Sequence, residues 1–317
     1  MPGDRCAGPD GVSDPRHSLP GVSSPATTPP AESDEGVART RSRPALSPSR
    51  AADFRQCPLL YRFRAVDRLP EAKTTSQVRG TLVHAALEDL FGLPAPERIP
   101  ATATALVEPA WIRLIEETPD VADAVPDADR DAFLDAARRI VADYFLLEDP
   151  TTFDAEACEV RVETELPDGV PLRGFVDRID VAPTGEIRVV DYKTGRAPRE
   201  GFERAALFQM KFYALMLLHT RGVVPAQLRL MYLSDGEIIT YAPDRDELHR
   251  FGGTLSAMWQ AVLEAGRTGE FEPSPGPMCR FCDHKAMCPE FGGTPPPYPG
   301  WPWPGDDGQE SEDSAGE

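Results

Sequence analysis

The segment Val189–Gly195, VVDYKTG, sets Asp191 and Lys193 two residues apart after a short apolar run. Side chains two apart on a strand share a face, so a carboxylate and an ammonium point the same way where the strand runs into Thr194-Gly195. A second acid, Asp177, lies upstream in GFVDRIDVA. The two segments are joined by VAPTGEI, in which Pro183 and Gly185 mark a tight reversal. A loop centred on Thr184 sets Asp177 directly opposite Asp191, and a slip of one residue separates them. With Phe175, Ile179 and Val189 as same-face neighbours, two opposed carboxylates repel and are costly to bury. A divalent cation resolves the conflict, because a hard ion takes carboxylate oxygen. Beside such an ion, Lys193 suits orienting a water or offsetting charge on a phosphate. The plainer alternative pairs Asp177 with Arg178 or Arg173, and Asp191 with Lys193, as solvated strand charges.

Three further positions bear on that choice. His84 sits beside the apolar stripe of a helix, with Glu88 one turn on; it is a ligand or a hydrogen-bonded core residue. Gln209 and Tyr213 stand at i and i+4 on a helix after the strands, either serving the site or forming a polar helix flank.

A second cluster is CRFCDHKAMCPEF, which places Cys279, Cys282 and Cys288 in a C-x2-C-x5-C array. Short spacings let thiolates converge on a metal. Cys57, far upstream in FRQCPLLYRF, is the natural fourth ligand, and His284 is a rival that favours zinc. Cys158 reads as a core residue of a strand.

These residues need elements to hold them. GTLVHAALEDLFG reads as a helix with Val83, Leu87, Leu90 and Phe91 on one face and Gly92 as its stop. The segment SPSRAADFRQCPLLYRFR opens on Ser47 or Ser49 as a cap, and Pro58 ends or kinks its helix. Further helices are expected near 103–117, 127–147, 205–220 and 246–266. EACEVRVETEL, LRGFVDRIDVA and EIRVVDYKTG read as strands, and QLRLMYL and IITYA as a hairpin. The result is an α/β or α+β body on a mixed sheet. Residues 1–44, rich in Pro, Ser and Gly, are expected to be a disordered arm, and 292–317 a Pro-aromatic and acidic tail. The folded body runs over 45–291.

The chain of 317 residues carries 52 Asp and Glu against 33 Lys and Arg, which argues against indiscriminate nucleic-acid or anionic-membrane binding. No run approaches the roughly 20 apolar residues of a membrane span, and the N-terminus lacks a secretory pattern. The expected location is cytoplasmic, where cysteines are metal ligands, reactive thiols or core residues rather than disulfides. Between Arg50 and Gly80 the balance reverses. Arg50, Arg55, Arg62, Arg64, Arg68, Lys73 and Arg79 outnumber Asp53, Asp67 and Glu71. Tyr61 and Phe63 interleave with these bases, as a single-strand-binding surface or as one side of an amphipathic helix.

Taken in order, GTLVHAALEDLF, GFVDRIDVA, VVDYKTG and QMKFYALML resemble the PD-(D/E)XK nuclease superfamily, and within it the RecB-like exonuclease branch with its CRISPR-associated relatives. The resemblance covers most of the body and implies a restriction-endonuclease-like core: a mixed sheet flanked by helices, with a helical insert. It implies Mg²⁺ or Mn²⁺ held by His84, Asp177, Asp191 and the backbone carbonyl of Tyr192, with Lys193 as the catalytic lysine. Gln209 and Tyr213 would position DNA or support the site, and Glu88 would support it from outside the ligand set. The cysteine arrangement is similar to that of members with a [4Fe–4S] cluster, the AddB nuclease domain among them. That similarity implies Cys57, Cys279, Cys282 and Cys288 as cluster ligands stapling the two ends of the domain, ahead of zinc.

The expected activity is that of a metal-dependent deoxyribonuclease, an exonuclease on single-stranded DNA or DNA ends in repair or recombination. No G-x-x-x-x-G-K-[ST] loop occurs, so a separate helicase or repair partner would supply unwinding. The alternatives are a non-catalytic DNA-binding or adaptor protein that keeps fold and cluster, or a zinc-stabilised protein with structural carboxylates.

Overall fold

A computed structural model describes residues 44–198 and 204–302. Helix α1 (Pro48–Gln56) starts at Ser47, whose hydroxyl accepts the Arg50 N–H at 3.2 Å, with Pro48 in the turn that needs no donor. Pro58 ends it. A residue before proline is pushed to extended backbone, and Cys57 has φ −165° and ψ 112°. The chain resumes as α2 (Pro58–Tyr61) and a π-helical turn, Arg62–Val66. The proline thus leaves the Cys57 thiol in a break between helices.

Helix α3 (Thr75–Phe91) opens on a Thr74–Gln77 capping box. It buries Val78, Leu82, Val83, Ala86, Leu87 and Leu90, and stops at Gly92 in a right-handed rather than a left-handed cap. Helices α4 (Pro100–Ala105), α5 (Val107–Glu117) and α6 (Arg130–Asp143) form the insert that packs on it.

Five strands follow in the order β1 (Ala157–Glu165), β2 (Pro171–Val181), β3 (Ile187–Lys193), β4 (Gln227–Tyr232) and β5 (Glu237–Tyr241). Helix α7 (Arg204–Arg221) makes the crossover that lets β3 and β4 run parallel; the other pairs are antiparallel. Val189, Leu228 and Leu230 pack toward α7 and helix α8 (Arg245–Thr268), whereas Val190, Tyr192, Met231 and Leu233 pack toward α3, α5 and α6. Strand β3 is therefore covered on both faces, and its alternation sends Asp191 and Tyr192 to opposite sides. This is the mixed sheet flanked by helices expected from the sequence.

Alternation fails at one place in β2. Val176 and Ile179 share the α7-side core although they differ in parity, while Arg178 between them is buried against the rings of Phe91, Phe153 and Tyr192. Phe175, expected beside Asp177 in the apolar face, is 54% exposed instead.

The stretch from Gly292, expected as tail, is pinned to the body over its described part. The Tyr298 hydroxyl donates to the Gly266 carbonyl at 2.5 Å, Arg62 donates to the Pro296 carbonyl at 2.5 Å, and the Trp301 ring covers Gly266 so closely that a Cβ there has no room. Aperiodic Pro-aromatic sequence carries no helix or strand signal, yet its rings bury large area where a glycine admits them. The arm over 1–43 and the acidic end over 303–317 lie outside the described residues. Among the described residues no helix is long and apolar enough to cross a membrane.

Candidate active site and thiol centre

Strands β2 and β3 pair as far as Arg178↔Val190 and then part. The register is the one that sets Asp177 against Asp191. In place of the next ladder bond, the Tyr192 N–H donates to Oδ2 of Asp177 at 2.6 Å. Helix α3 enters this notch from one side: His84 Nε2 lies 3.0 Å from the Tyr192 carbonyl oxygen, and Nδ1 lies 3.5 Å from Asp177 Oδ2. Gly80 lets the same helix approach the end of β3, since a Cβ there would stand 3.3 Å from Thr194 Oγ1.

Helix α7 closes the other side. Lys193 Nζ is 2.6 Å from Asp191 Oδ2 and donates to Gln209 Oε1 at 2.9 Å. Gln209 Nε2 donates to Asp191 Oδ1 and to the Tyr213 hydroxyl, each at 2.9 Å. His84, Asp177, Asp191, Tyr192, Lys193, Gln209 and Tyr213 are therefore brought together from two strands and two helices.

The electrostatics are those of a site with too much negative charge for its depth. Burial and the neighbouring Asp191 push the Asp177 carboxyl well above its ordinary range. Burial opposes a charge on His84, but the Glu159 hydrogen bond and the carboxylates of Asp177 and Asp191 outweigh it and push the imidazole up to about 9. Lys193 moves up as well: its desolvation is overcome by Asp191. The donor set fits a hard divalent cation. The Asp177 carboxylate, the His84 imidazole and the Tyr192 carbonyl oxygen face one another, and Asp191, 1% exposed, stands beside them with its Oδ2 paired to Lys193. Two ligands at right angles, each about 2.1 Å from an octahedral ion, stand about 3.0 Å apart, which is the observed His84–Tyr192 separation.

One acid of the site was not singled out in the sequence. Glu159 Oε1 is 3.2 Å from His84 Nδ1. Among the described residues, His84, Glu159 and Asp177 are the group of His, Cys, Asp and Glu side chains whose donor atoms all lie within 4.8 Å of one another. Its signal was hidden because EACEVRVETEL alternates acids along its length. The carboxylate of Glu88, expected to support the site, makes no hydrogen bond or ion pair among the described residues; burial and Glu159 raise its carboxyl.

Beneath the site, Arg178 is fully buried. It donates to Glu148 at 2.5 Å and to the Tyr192 hydroxyl, and pairs with Asp180 at 2.9 Å. Of the plainer alternative, the pairing of Asp191 with Lys193 is present, but that of Asp177 with Arg178 or Arg173 does not form. Arg178 serves Glu148 and Asp180, and Arg173 is bonded to Glu163.

The four cysteines line one cavity of about 210 Å³ with Leu59, Leu60, Phe63 and Met278. Their sulfurs are not packed together, since no three come within 4.8 Å of one another. Backbone N–H groups of Ser274 and Gly276 donate to Cys57 and Cys279 at 3.4 and 3.3 Å, and the His284 N–H bonds Cys282. His284 itself is 2% exposed, with Nε2 2.7 Å from Glu71 and its ring edge-on to Phe63. It is engaged away from the thiols. Cys158 lies in β1.

Part of the basic segment does not form the outward surface expected of it. Tyr61, Phe63 and Arg62 are buried, the arginine paired with Asp67 at 3.0 Å. Arg64 is held by Asp53 and Glu71 at 2.5 and 2.8 Å. Tyr61, Arg62 and Phe63 therefore hold the fold, whereas Arg64 is exposed and tied to its two acids. Arg55 does face the active-site groove, its guanidinium over Phe208.

A family model described as the PD-(D/E)XK nuclease superfamily matches residues 45–289. The chain is 33% identical over 138 residues to the gene 69 protein of Mycobacterium phage L5, and 32% identical over 138 residues to that of Mycobacterium phage D29. Each match is 43% of this chain and 45% or 48% of the relative, so the chain spans less than half the length of either. A candidate exonuclease of Eubacterium rectale of known structure aligns with TM-score 0.49 and 16% identity, over 75% of this chain and 86% of that one. The structure of SSO0001 aligns with TM-score 0.35 and 16% identity, over 67% and 84%.

Proposed function

The chain belongs to the PD-(D/E)XK nuclease superfamily, and from that premise we propose that it is a RecB-like deoxyribonuclease dependent on Mg²⁺ or Mn²⁺, acting on single-stranded DNA or DNA ends. The observation that carries this reading is the pair Asp177 and Asp191 at the fork of β2 and β3, with Lys193 held to Asp191 at 2.6 Å. His84, Asp177, Asp191 and the Tyr192 carbonyl would hold the cation. When bound, it supplies Lewis-acid polarisation of a phosphoryl oxygen and a more acidic water. Lys193 offers a protonated Nζ at the mouth of the site, where it donates to the attacking water or to developing negative charge. Gln209 keeps that ammonium in line by accepting one of its hydrogens while donating to Asp191.

Two grooves support a single-stranded path. One, of about 450 Å³, runs past Arg55, Lys193, Arg196 and Phe208; the other, of about 330 Å³, runs past Arg50, Arg173, Phe175 and Tyr213. Both are lined by Pro48, Ser49 and Gln209. Arg55 and Arg196 have no acidic partner among the described residues, which leaves them for phosphates. The exposed Phe175 ring suits stacking of an unpaired base.

The thiol cavity is assigned to a [4Fe–4S] cluster held by Cys57, Cys279, Cys282 and Cys288. All-sulfur ligation and N–H donors to three of the sulfurs support it. A single tetrahedral zinc, with bonds of about 2.3 Å, asks the sulfurs to lie under about 4 Å apart. The cluster would staple α1 and α2 to the segment after α8.

One preparation tests both assignments. Anaerobically purified protein should contain about four iron and four sulfide per chain; colourless protein holding zinc would sink the cluster. Cleavage of single-stranded DNA should need Mg²⁺ or Mn²⁺ and vanish in Asp191→Ala and Lys193→Ala. Activity retained in both folded variants would refute the active site, and DNA binding without cleavage by wild type would make the protein an adaptor.

A further inference from the structure

We propose that Glu159 is a positioning residue of the metal site: its carboxylate accepts the Nδ1–H of His84 and so keeps the Nε2 lone pair turned toward the Tyr192 carbonyl. The inference rests on the metal-nuclease reading above and adds to it a residue from β1, a strand outside the expected ligand set.

Geometry comes first. A neutral imidazole has one N–H and one lone pair, and the hydrogen bond made by one nitrogen decides what the other can do. Glu159 Oε1 lies 3.2 Å from Nδ1, while Nε2 lies 3.0 Å from the Tyr192 carbonyl oxygen. With Nδ1 as the donor, Nε2 and the carbonyl present two lone pairs to one small space. That arrangement suits two ligands of one cation. Carboxylates behind metal-bound histidines orient the ring and raise its basicity.

The backbone supplies an independent observation. Glu159 has φ +45°, a left-handed conformation in the middle of a strand, and it is not glycine. Such a backbone is strained for a residue with a Cβ and persists where its surroundings demand it. The β1–β2 ladder pairs Cys158 with Arg178 and Val160 with Val176, but skips Glu159 and Asp177 between them. The same point is where β2 changes parity, with Val176 and Ile179 in one core. Both strands thus give up regular geometry at the position that delivers a carboxylate to His84. The candidate from the helix, Glu88, is one turn from His84 but makes no such bond.

Metal affinity and fold stability separate this role from a structural one. Mn²⁺ binding would be followed by electron paramagnetic resonance, and unfolding of the metal-free protein by calorimetry, in wild type, Glu159→Gly, Glu159→Gln and Asp191→Ala. Glycine adopts the left-handed backbone without strain, so Glu159→Gly should unfold at the same or a higher temperature while binding Mn²⁺ about 10–100-fold more weakly. Glu159→Gln, whose amide oxygen can still accept the Nδ1–H, should lose less. Nitrogen-15 NMR of His84 in the Mg²⁺ form should show Nδ1–H in wild type and mixed tautomers in Glu159→Gly. Affinity within twofold of wild type in Glu159→Gly, or a fall in unfolding temperature alongside affinity, would overturn the proposal. Wild type binding Mn²⁺ no better than Asp191→Ala would instead overturn the site reading, and this inference with it.

Discussion

The side-chain oxygen of Gln209 accepts a hydrogen bond from the Lys193 ammonium at 2.9 Å, which ties helix α7 to the end of β3. Gln209→Leu removes that acceptor and the donor to Asp191. The lysine keeps its ion pair with Asp191 but loses the second contact that fixes its direction, and misplacement of a group by about 1 Å costs about 10²-fold. The expected outcome is a kcat lower by about that factor with KM for single-stranded DNA little changed, measured in steady-state cleavage.

Removing one carboxylate should stabilise what it inactivates. Asp177 is buried against Asp191, and burial holds its carboxyl above the ordinary range. In Asp177→Asn the amide oxygen can still accept the Tyr192 N–H. The metal-free variant should therefore unfold later than wild type by about 1–2 kcal/mol at pH 7, with cleavage lost. Calorimetry without metal, beside a nuclease assay with Mg²⁺, checks both halves.

Proton release should accompany metal binding. With its pKa near 9, His84 is an imidazolium at neutral pH in the metal-free protein, and a cation needs its lone pair. Mn²⁺ affinity should rise with pH, about tenfold per unit for each proton displaced, and level off above pH 9. Titration calorimetry in buffers of different ionisation enthalpy counts the protons. Stability of the metal-free protein runs the other way. The folded pKa of His84 is above its unfolded value, so its contribution is full below about pH 6.5 and is lost as pH rises through 9.

Arg178 is a fold residue under the catalytic strand. It is buried between Glu148 and Asp180 and bonds the Tyr192 hydroxyl. Arg178→Met takes the buried guanidinium from Glu148 and Asp180 and leaves them only Arg229 and Arg188, a change worth about 3 kcal/mol of destabilisation. Chemical denaturation should show that loss. Cleavage by the protein that remains folded should fall as well, because Tyr192 carries the carbonyl proposed to hold the cation.

The sequence by itself determined the elements and singled out most of the residues that gather at the candidate site. Periodicity placed α3 with His84 on its flank, and the Pro183–Gly185 reversal set the β2–β3 register, because a two-residue period punishes any slip where one face is buried. The spacing of Asp191 and Lys193 did the rest. Tertiary structure alone decided what lay behind and around these groups. Glu159 is one of several acids in an alternating strand, and only a left-handed turn of its backbone aims it at His84. Arg62 and Arg64 looked like phosphate contacts until the break at Pro58 turned them onto Asp67, Asp53 and Glu71. Tyr298 and Trp301 carried no periodic signal, yet found Gly269 and Gly266 on a helix end to cover. Local pattern encodes which face a side chain takes, whereas its partner is chosen by segments distant in the chain, and only folding brings those together.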